Sequence, residues 1–174
     1  KGCEQQPDYH PEGDVFVHTK LLLDKLEHPS VALAFGALLH DVGKPRTFTN
    51  ENGEIHFYEH DRVGAEMARE ILSRLRFSNK EIDEIAGAVG NHMRFQHVQQ
   101  MREGKLKNML ARDTFREELE LHRIDCLSSH GMLDNYEFLK RKMEEYKAEE
   151  LKPKPLINGN DLIAAGFKPG PIMG

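Results

Sequence analysis

The sequence predicts an all-α bundle interrupted by one small β-hairpin. Apolar residues recur at helical spacing through most of residues 1–150, and Ser, Thr, Asp, Gly and Pro punctuate those runs where helices should start and stop. Thr47 to Phe57 breaks the pattern. There Phe48 and the Ile55, Phe57 alternation flank Asn52-Gly53, a pair that suits a two-residue hairpin turn because both positions tolerate positive φ.

Taken in order, Val15 to Leu26 sets Phe16, Leu22, Leu23 and Leu26 among polar residues, an amphipathic helix stopped by His28-Pro29. Ser30 caps the next helix, which runs through Val31, Leu33, Ala34, Phe35, Leu38 and Leu39. That helix is apolar nearly all round and belongs at the centre of the fold. Gly43 and Pro45 end it just past His40-Asp41. After the hairpin, helix returns at about Arg62 to Phe77, with Val63, Met67, Ile71 and Leu75 as its core stripe. Ser78 and Glu81 form a capping box for a helix carrying Ile82, Ile85, Ala86 and Val89 toward His92. A basic helix, Gly104 to Arg112, follows. Thr114 and Glu117 make a second capping box ahead of Phe115, Leu119, Ile124 and Leu127, and Asp134 caps a helix with Tyr136, Leu139, Met143 and Tyr146.

At Leu151 the character changes. Lys152-Pro153-Lys154-Pro155 reads as a stiff linker, since each proline fixes φ and restrains the residue before it. A short helix, Asp161 to Ala165, ends at Gly166. The expected division is one domain over 1–150 and the start of a truncated further unit over 151–174.

Composition narrows the function classes. The chain of 174 residues, 39% hydrophobic and 30% charged, suits one soluble domain with a real core. No apolar run approaches the roughly 20 residues that span a bilayer. Cys3 and Cys126 cannot form a disulfide framework and lack C-x-x-C spacing, and the start carries no apolar secretory segment, so a cytoplasmic location is expected. A formal charge of −5 gives no global attraction for nucleic acid; an RNA surface would be a local patch.

Chemistry-bearing residues recur at one per helix: His18, the His40-Asp41 pair, His60, His92 and Asp125. A bundle can converge such residues on one cavity. Mixed imidazole and carboxylate ligation suits manganese, iron, nickel, cobalt or zinc better than magnesium. A lone histidine near a helix end is more often a cap or a surface residue, so it is the set that carries weight. His28, His56, His97, His122 and His130 read as structural or solvated, with His97 the one substitute for His92. Cys126 reads as packed, and Asp61 as a helix cap or as a partner orienting a ligand histidine.

His18, His40-Asp41 and Asp125 follow the H…HD…D order of the HD-domain metal-dependent phosphohydrolases. The phrases HPEGDVFVHT, ALLHDVGKP, GAEMAREILSRLRFSN, NHMRF, LHRIDCLSSHG and LKPKPLINGNDLIAAGFKPGP resemble, more narrowly, the HD portion of bacterial tRNA nucleotidyltransferases (CCA-adding enzymes) and related poly(A) polymerases. The resemblance covers nearly the whole chain. It implies an HD-domain helical bundle in which His18, His40, Asp41 and Asp125 hold one divalent metal. His60 and His92 would hold a second or contact phosphate.

The implied chemistry is attack on phosphorus by water activated at the metal. Asp41 and Lys44 would serve catalysis, with Lys44 and Arg62 as phosphate ligands. The implied substrates are phosphomonoesters, nucleotides or 2′,3′-cyclic phosphates at an RNA end, and the implied partners are tRNA and a nucleotidyltransferase head normally on the same chain. Residues 151–174 would begin an RNA-binding arm. The departure is equally informative: no D-x-D pair occurs in the sequence, so nucleotidyl transfer is not expected of this chain alone. Arg102, Lys105, Lys107 and Arg112 form a basic patch that could follow an RNA backbone or could simply be a solvated helix face. Two functions follow as expectations, a metal-dependent phosphohydrolase or a non-catalytic tRNA-binding accessory domain.

Overall fold

The structure, a computed structural model, describes residues 1–146 and 159–166. Its elements run α1 Val15–Leu23, α2 Val31–Leu39, α3 Lys44–Thr47, β1 Phe48–Glu51, β2 Glu54–Phe57, α4 His60–Arg74 and α5 Asn79–Asn91. A 3-10 helix His92–Gln100, then α6 Glu103–Leu110, α7 Phe115–Ser128, α8 Asp134–Glu145 and α9 Gly159–Ala164 complete the described chain. The all-α bundle with one hairpin is therefore observed. The linker expected at residues 152–155 lies outside the described residues, and α9 starts two residues earlier than the expected Asp161.

Local chemistry explains most boundaries. The Asp14 carboxylate accepts from Phe16 N and Val17 N to cap α1, and also from Gly2 N and Cys3 N. With Gln5 N donating to Gly13 O, this ties the N-terminal segment to the start of α1. Ser30 caps α2 through Leu33 N, and the Ser78–Glu81 capping box forms as expected. The hairpin pairs Phe48 with Phe57 and Glu51 with Glu54, and Asn52 and Gly53 both take positive φ, 57° and 93°.

Four local expectations are corrected. Pro45 does not merely stop α2; it sits in the first turn of α3, where its missing N–H costs nothing. In α4 the buried face is His60, Gly64, Ala68 and Leu72 rather than Val63, Met67, Ile71 and Leu75. Small side chains on the i, i+4 row let α5 approach closely, and the bulky ones flank the seam. Thr114 and Glu117 make no capping box: the Thr114 hydroxyl instead donates to Glu118, a buried carboxylate that also accepts from Asn91 and Arg112. Asp134 is the first residue of α8 and caps nothing, with its charge left to favour the helix N-terminus.

Three apolar clusters hold the bundle. Leu39, Ala68, Leu72, Ile85 and Val89 join α2, α4 and α5, while Leu22, Ala37, Leu121 and Ile124 join α1, α2 and α7. Phe95, Leu106, Phe115 and Leu139 weld the 3-10 helix to α6, α7 and α8. Each such large side chain contributes about 1.5–3 kcal/mol by leaving water. Where the first two clusters meet, the bundle encloses polar residues instead.

Candidate metal centre

Three histidines reach that polar region by the same local device. His40 follows the last residue of α2, and its Nδ1 donates to Ala37 O (2.9 Å). His92 follows the last residue of α5, with Nδ1 on Val89 O (2.6 Å), and His60 opens α4, with Nδ1 on Phe57 O (2.8 Å). In each case the carbonyl three residues back fixes the tautomer, and at α2 and α5 it belongs to the free last turn of the helix. Glu59, in a left-handed conformation (φ 58°), turns the chain so that His60 points inward.

Gly43 makes the convergence possible. A Cβ there would stand 2.2 Å from His60 O and 2.7 Å from Gly64 N, so only glycine lets the turn after Asp41 lie flat on α4. His18 comes from the second turn of α1 and Asp125 from α7.

The six residues form two nests that share Asp41. Its Oδ2 lies 3.2 Å from His40 Nε2 and 4.0 Å from His18 Nε2, on the side where His18 Nε2 is 3.0 Å from Asp125 Oδ1. Its Oδ1 lies 3.5 Å from His60 Nε2 and 3.8 Å from His92 Nε2. His18, His40, Asp41, His60 and His92 are all buried, whereas the Asp125 carboxylate is about a quarter exposed.

The Nε2 pairs are close, 3.3 Å for His18–His40 and 3.1 Å for His60–His92. With Nδ1 hydrogen-bonded to a carbonyl in His40, His60 and His92, the inner nitrogens of His60 and His92 present lone pairs, and that of His40 does so when a cation displaces its proton. Two nitrogens each about 2.1 Å from one cation stand roughly 3.0–3.4 Å apart. Both pairs have that spacing, and the buried Asp41 carboxylate between them completes a donor set that fits a divalent metal.

Electrostatics divide the histidines, holding a proton on His40 that a cation would replace and keeping His60 and His92 neutral. Burial alone would lower the His40 pKa, but the Asp41 and Asp125 carboxylates outweigh it and raise it to about 9. Burial, together with charge on His40, pushes His92 down to about 4, and burial likewise lowers His60. Asp41 is held well below the usual carboxylate range by His40 and Lys44 despite its burial. Asp125 is lowered by its hydrogen bond to His18 and by the charge of His40, again against burial.

Lys44 is buried, with Nζ 2.8 Å from Asp41 Oδ2, and it donates to Gln5 Oε1 at 2.6 Å. Arg62 is not brought to the site: its guanidinium is exposed and pairs with Glu59 and Glu66 on the surface of α4. Asp61 sits in the first turn of α4, where it neither caps the helix nor bonds a ligand histidine. His97 is exposed, away from the ring. Of the basic patch, Arg112 pairs with the buried Glu118 and Lys107 with Glu103, while Arg102 and Lys105 stay exposed.

The N-terminal segment supplies residues that motif reasoning did not select. Glu12 Oε1 lies 2.6 Å from His18 Nδ1 and 2.9 Å from His10 Nδ1. Gln5 is buried against Lys44. A carboxylate behind a ligand histidine is the usual orienting partner in metal sites. The signal was Glu12 within HPEGD, close to His18 in sequence but on no helix face.

The helical bundle gathers His18, His40, Asp41, His60, His92 and Asp125 in its interior, a histidine–carboxylate cluster with the donor atoms to hold a metal. Residues 13–130 match the HD domain, and the chain belongs to that family. An A-adding tRNA nucleotidyltransferase of Deinococcus radiodurans is 31% identical over 179 residues, covering 92% of this chain and 40% of the relative. A CC-adding tRNA nucleotidyltransferase of Thermus thermophilus is 36% identical over 143 residues, covering 79% of this chain and 32% of its own length. A multifunctional CCA protein of Neisseria meningitidis is 36% identical over 119 residues, covering 66% and 28% respectively. The chain thus spans between 28% and 40% of the length of these relatives. No described helix is long and apolar enough to cross a membrane.

Proposed function

We propose that the chain is a divalent-metal phosphohydrolase acting on nucleotide or RNA-end phosphates, as part of a larger tRNA nucleotidyltransferase-like protein. The observation that carries this reading is Asp41, whose two oxygens face two separate imidazole pairs on the floor of an open cleft. That cleft, of about 580 Å³, is lined by Asp41, Lys44, His60, His92 and Asp125. His18, His40, Asp41 and Asp125 would hold one ion, and Asp41, His60 and His92 a second. The donor set suits manganese, nickel, iron, cobalt or zinc ahead of magnesium. A divalent cation, when bound, supplies Lewis-acid charge that acidifies water and offsets charge developing on phosphoryl oxygens.

The protein's own residues then have distinct tasks. Asp41, ionised across the working pH range, keeps the two imidazole pairs in register. Two carboxylates set against Lys44 and one dication leave the floor net positive, which favours a phosphate dianion. Lys44 sits where its ammonium can follow a nonbridging oxygen, and Gln5 holds it from behind. In a 2′,3′-cyclic phosphate, water oxygen adds to phosphorus, a ribose P–O bond breaks, and the released hydroxyl takes up the proton.

A second reading, a non-catalytic tRNA-binding accessory domain, is favoured by the relatives, which are named for tRNA nucleotidyl transfer. Metal content and turnover separate the two. The purified chain should bind manganese or nickel and hydrolyse phosphomonoesters or 2′,3′-cyclic nucleotides, with Asp41→Ala losing at least a thousandfold in rate, about 4 kcal/mol of barrier. A wild-type chain that binds metal-independent tRNA and turns over none of these esters would establish the accessory role instead.

A further inference from the structure

We propose that the mouth of the metal cleft carries a nucleobase platform, built by the stacked rings of His56 and Tyr58 together with Tyr9. The site would thereby select base-bearing phosphates over small phosphate esters. This inference rests on the phosphohydrolase reading for the floor of the cleft and adds a residue-level basis for choosing its substrate.

The starting point is exposure. Among the described residues, the three most exposed large apolar side chains are Tyr9 (63%), Tyr58 (61%) and Met132 (59%). They come from three distant parts of the chain, yet all three line the one cleft that contains Asp41 and Lys44. Scattered exposed apolar residues need no explanation, but their convergence around a polar floor does. Other exposed aromatics, Phe16 and Phe48, lie outside this cleft.

Geometry makes the rim a platform. His56 lies in β2 and Tyr58 opens the turn that follows it. Their rings are nearly parallel, 18° apart, with centroids 5.1 Å from each other. Tyr58 is thereby held by its neighbour while most of its surface stays in solvent. Gln6 Oε1 accepts from Ile55 N (3.2 Å), tying the N-terminal segment that carries Tyr9 to the strand that carries His56. The rim is thus one connected structure of hairpin and N-terminal segment rather than two independent loops.

Stacking on aromatic rings is how proteins hold bases without reading their identity. A floor that takes phosphate and a wall of aromatic faces together match a nucleoside phosphate, and the cleft volume falls in the range of small-molecule sites. A free nucleotide and the last nucleotide of an RNA share this chemistry.

Calorimetric titration tests the platform in the presence of manganese, using AMP, ribose 5-phosphate and an RNA trinucleotide ending in a 3′-phosphate. AMP should bind at least tenfold tighter than ribose 5-phosphate. Tyr58→Ala should weaken AMP on the order of tenfold, the scale of one lost stacking partner, and leave ribose 5-phosphate unchanged. Tyr9→Ala should act in the same direction, and Tyr58→Phe should restore binding. Unchanged thermal unfolding in these surface variants would show that the fold is intact. A trinucleotide that binds tighter than AMP assigns the platform to RNA ends, and one that does not assigns it to free nucleotides. Equal wild-type affinity for AMP and ribose 5-phosphate, or equal losses for both in Tyr58→Ala, overturns the platform. Turnover separates it from the reading beneath it. Base-selective binding without hydrolysis keeps the platform and sinks the hydrolase, while equal hydrolysis of AMP and ribose 5-phosphate does the reverse.

Discussion

The apolar lobe around Phe95 and the polar ring around Asp41 are both built from buried side chains, and they are held in opposite ways. In the lobe, Phe95, Phe115, Leu119 and Leu139 contribute through the apolar surface they remove from solvent. In the ring, His18, His40, Asp41, His60 and His92 are buried at a cost, and their positions come from outside: a carbonyl behind each of three histidines and Glu12 behind a fourth. The lobe supplies stability, while the ring uses some of it to keep donor atoms facing one another.

The largest expected effect tests that division directly. Phe95→Ala should cost about 3–5 kcal/mol in urea unfolding, from lost burial plus a cavity. The stabilisation that manganese adds should survive in this variant; at a hundredfold excess over the dissociation constant that is about 2.7 kcal/mol. If the metal increment disappears with Phe95, the two regions are one cooperative structure and the division fails.

Gly43→Ala should come next, at up to about 3 kcal/mol, because the added methyl meets backbone of α4 rather than a yielding side chain. Its damage should fall unevenly. Pushing α4 away displaces His60 from Asp41 but leaves His18, His40 and Asp125 on other elements, so metal titration should retain one class of site and lose the other. Equal loss of both would mean that the nests do not act as separate units.

Glu12→Gln should be smaller and confined to the ring. Unfolding without metal should barely change, while metal affinity should fall about 10- to 100-fold, the usual cost of losing a group that orients a ligand histidine. A drop in unfolding stability with affinity intact would make Glu12 a structural residue of the N-terminal segment.

The ring was legible in the sequence to the extent that its signals are local. His40-Asp41 stands at a helix boundary that Gly43 and Pro45 announce, His60 and His92 stand at the ends of helices with clear apolar periodicity, and His18 and Asp125 share helices with clear apolar runs. The partners behind the ring were not. Gln5, His10 and Glu12 precede the first helix, on a segment with no period, and only folding the N-terminus back through Asp14 brings them to Lys44 and His18. Arg62 illustrates the converse. Two residues after His60 in sequence, it points away because Glu59 and Glu66 lie on its own exposed face. The α4 stripe was displaced by one residue for a related reason: hydrophobicity marks Val63 and Met67, but close helix packing selects Gly64 and Ala68.

The last and smallest expected effect lies on the border between the two regions. Asp125 turns into the ring, while Cys126 is buried with its Sγ 3.7 Å from His122 Nδ1, and His122 stacks on Phe95 with centroids 4.8 Å apart. Burial, reinforced by the negative charge of Asp125, pushes the Cys126 thiol up to about 12 from its ordinary 9.0. The folded chain therefore keeps a proton that the unfolded chain loses first. The resulting contribution is complete below pH 9 and is lost as pH rises from there toward 12. At pH 8 it leaves stability unchanged and shows in reactivity alone, because the thiolate is the nucleophile. An aromatic disulfide reagent at pH 8 should label the half-buried Cys3 first and reach Cys126 only as fast as the chain unfolds. Prompt labelling of Cys126 in the native chain would mean that the wall between lobe and ring opens on its own.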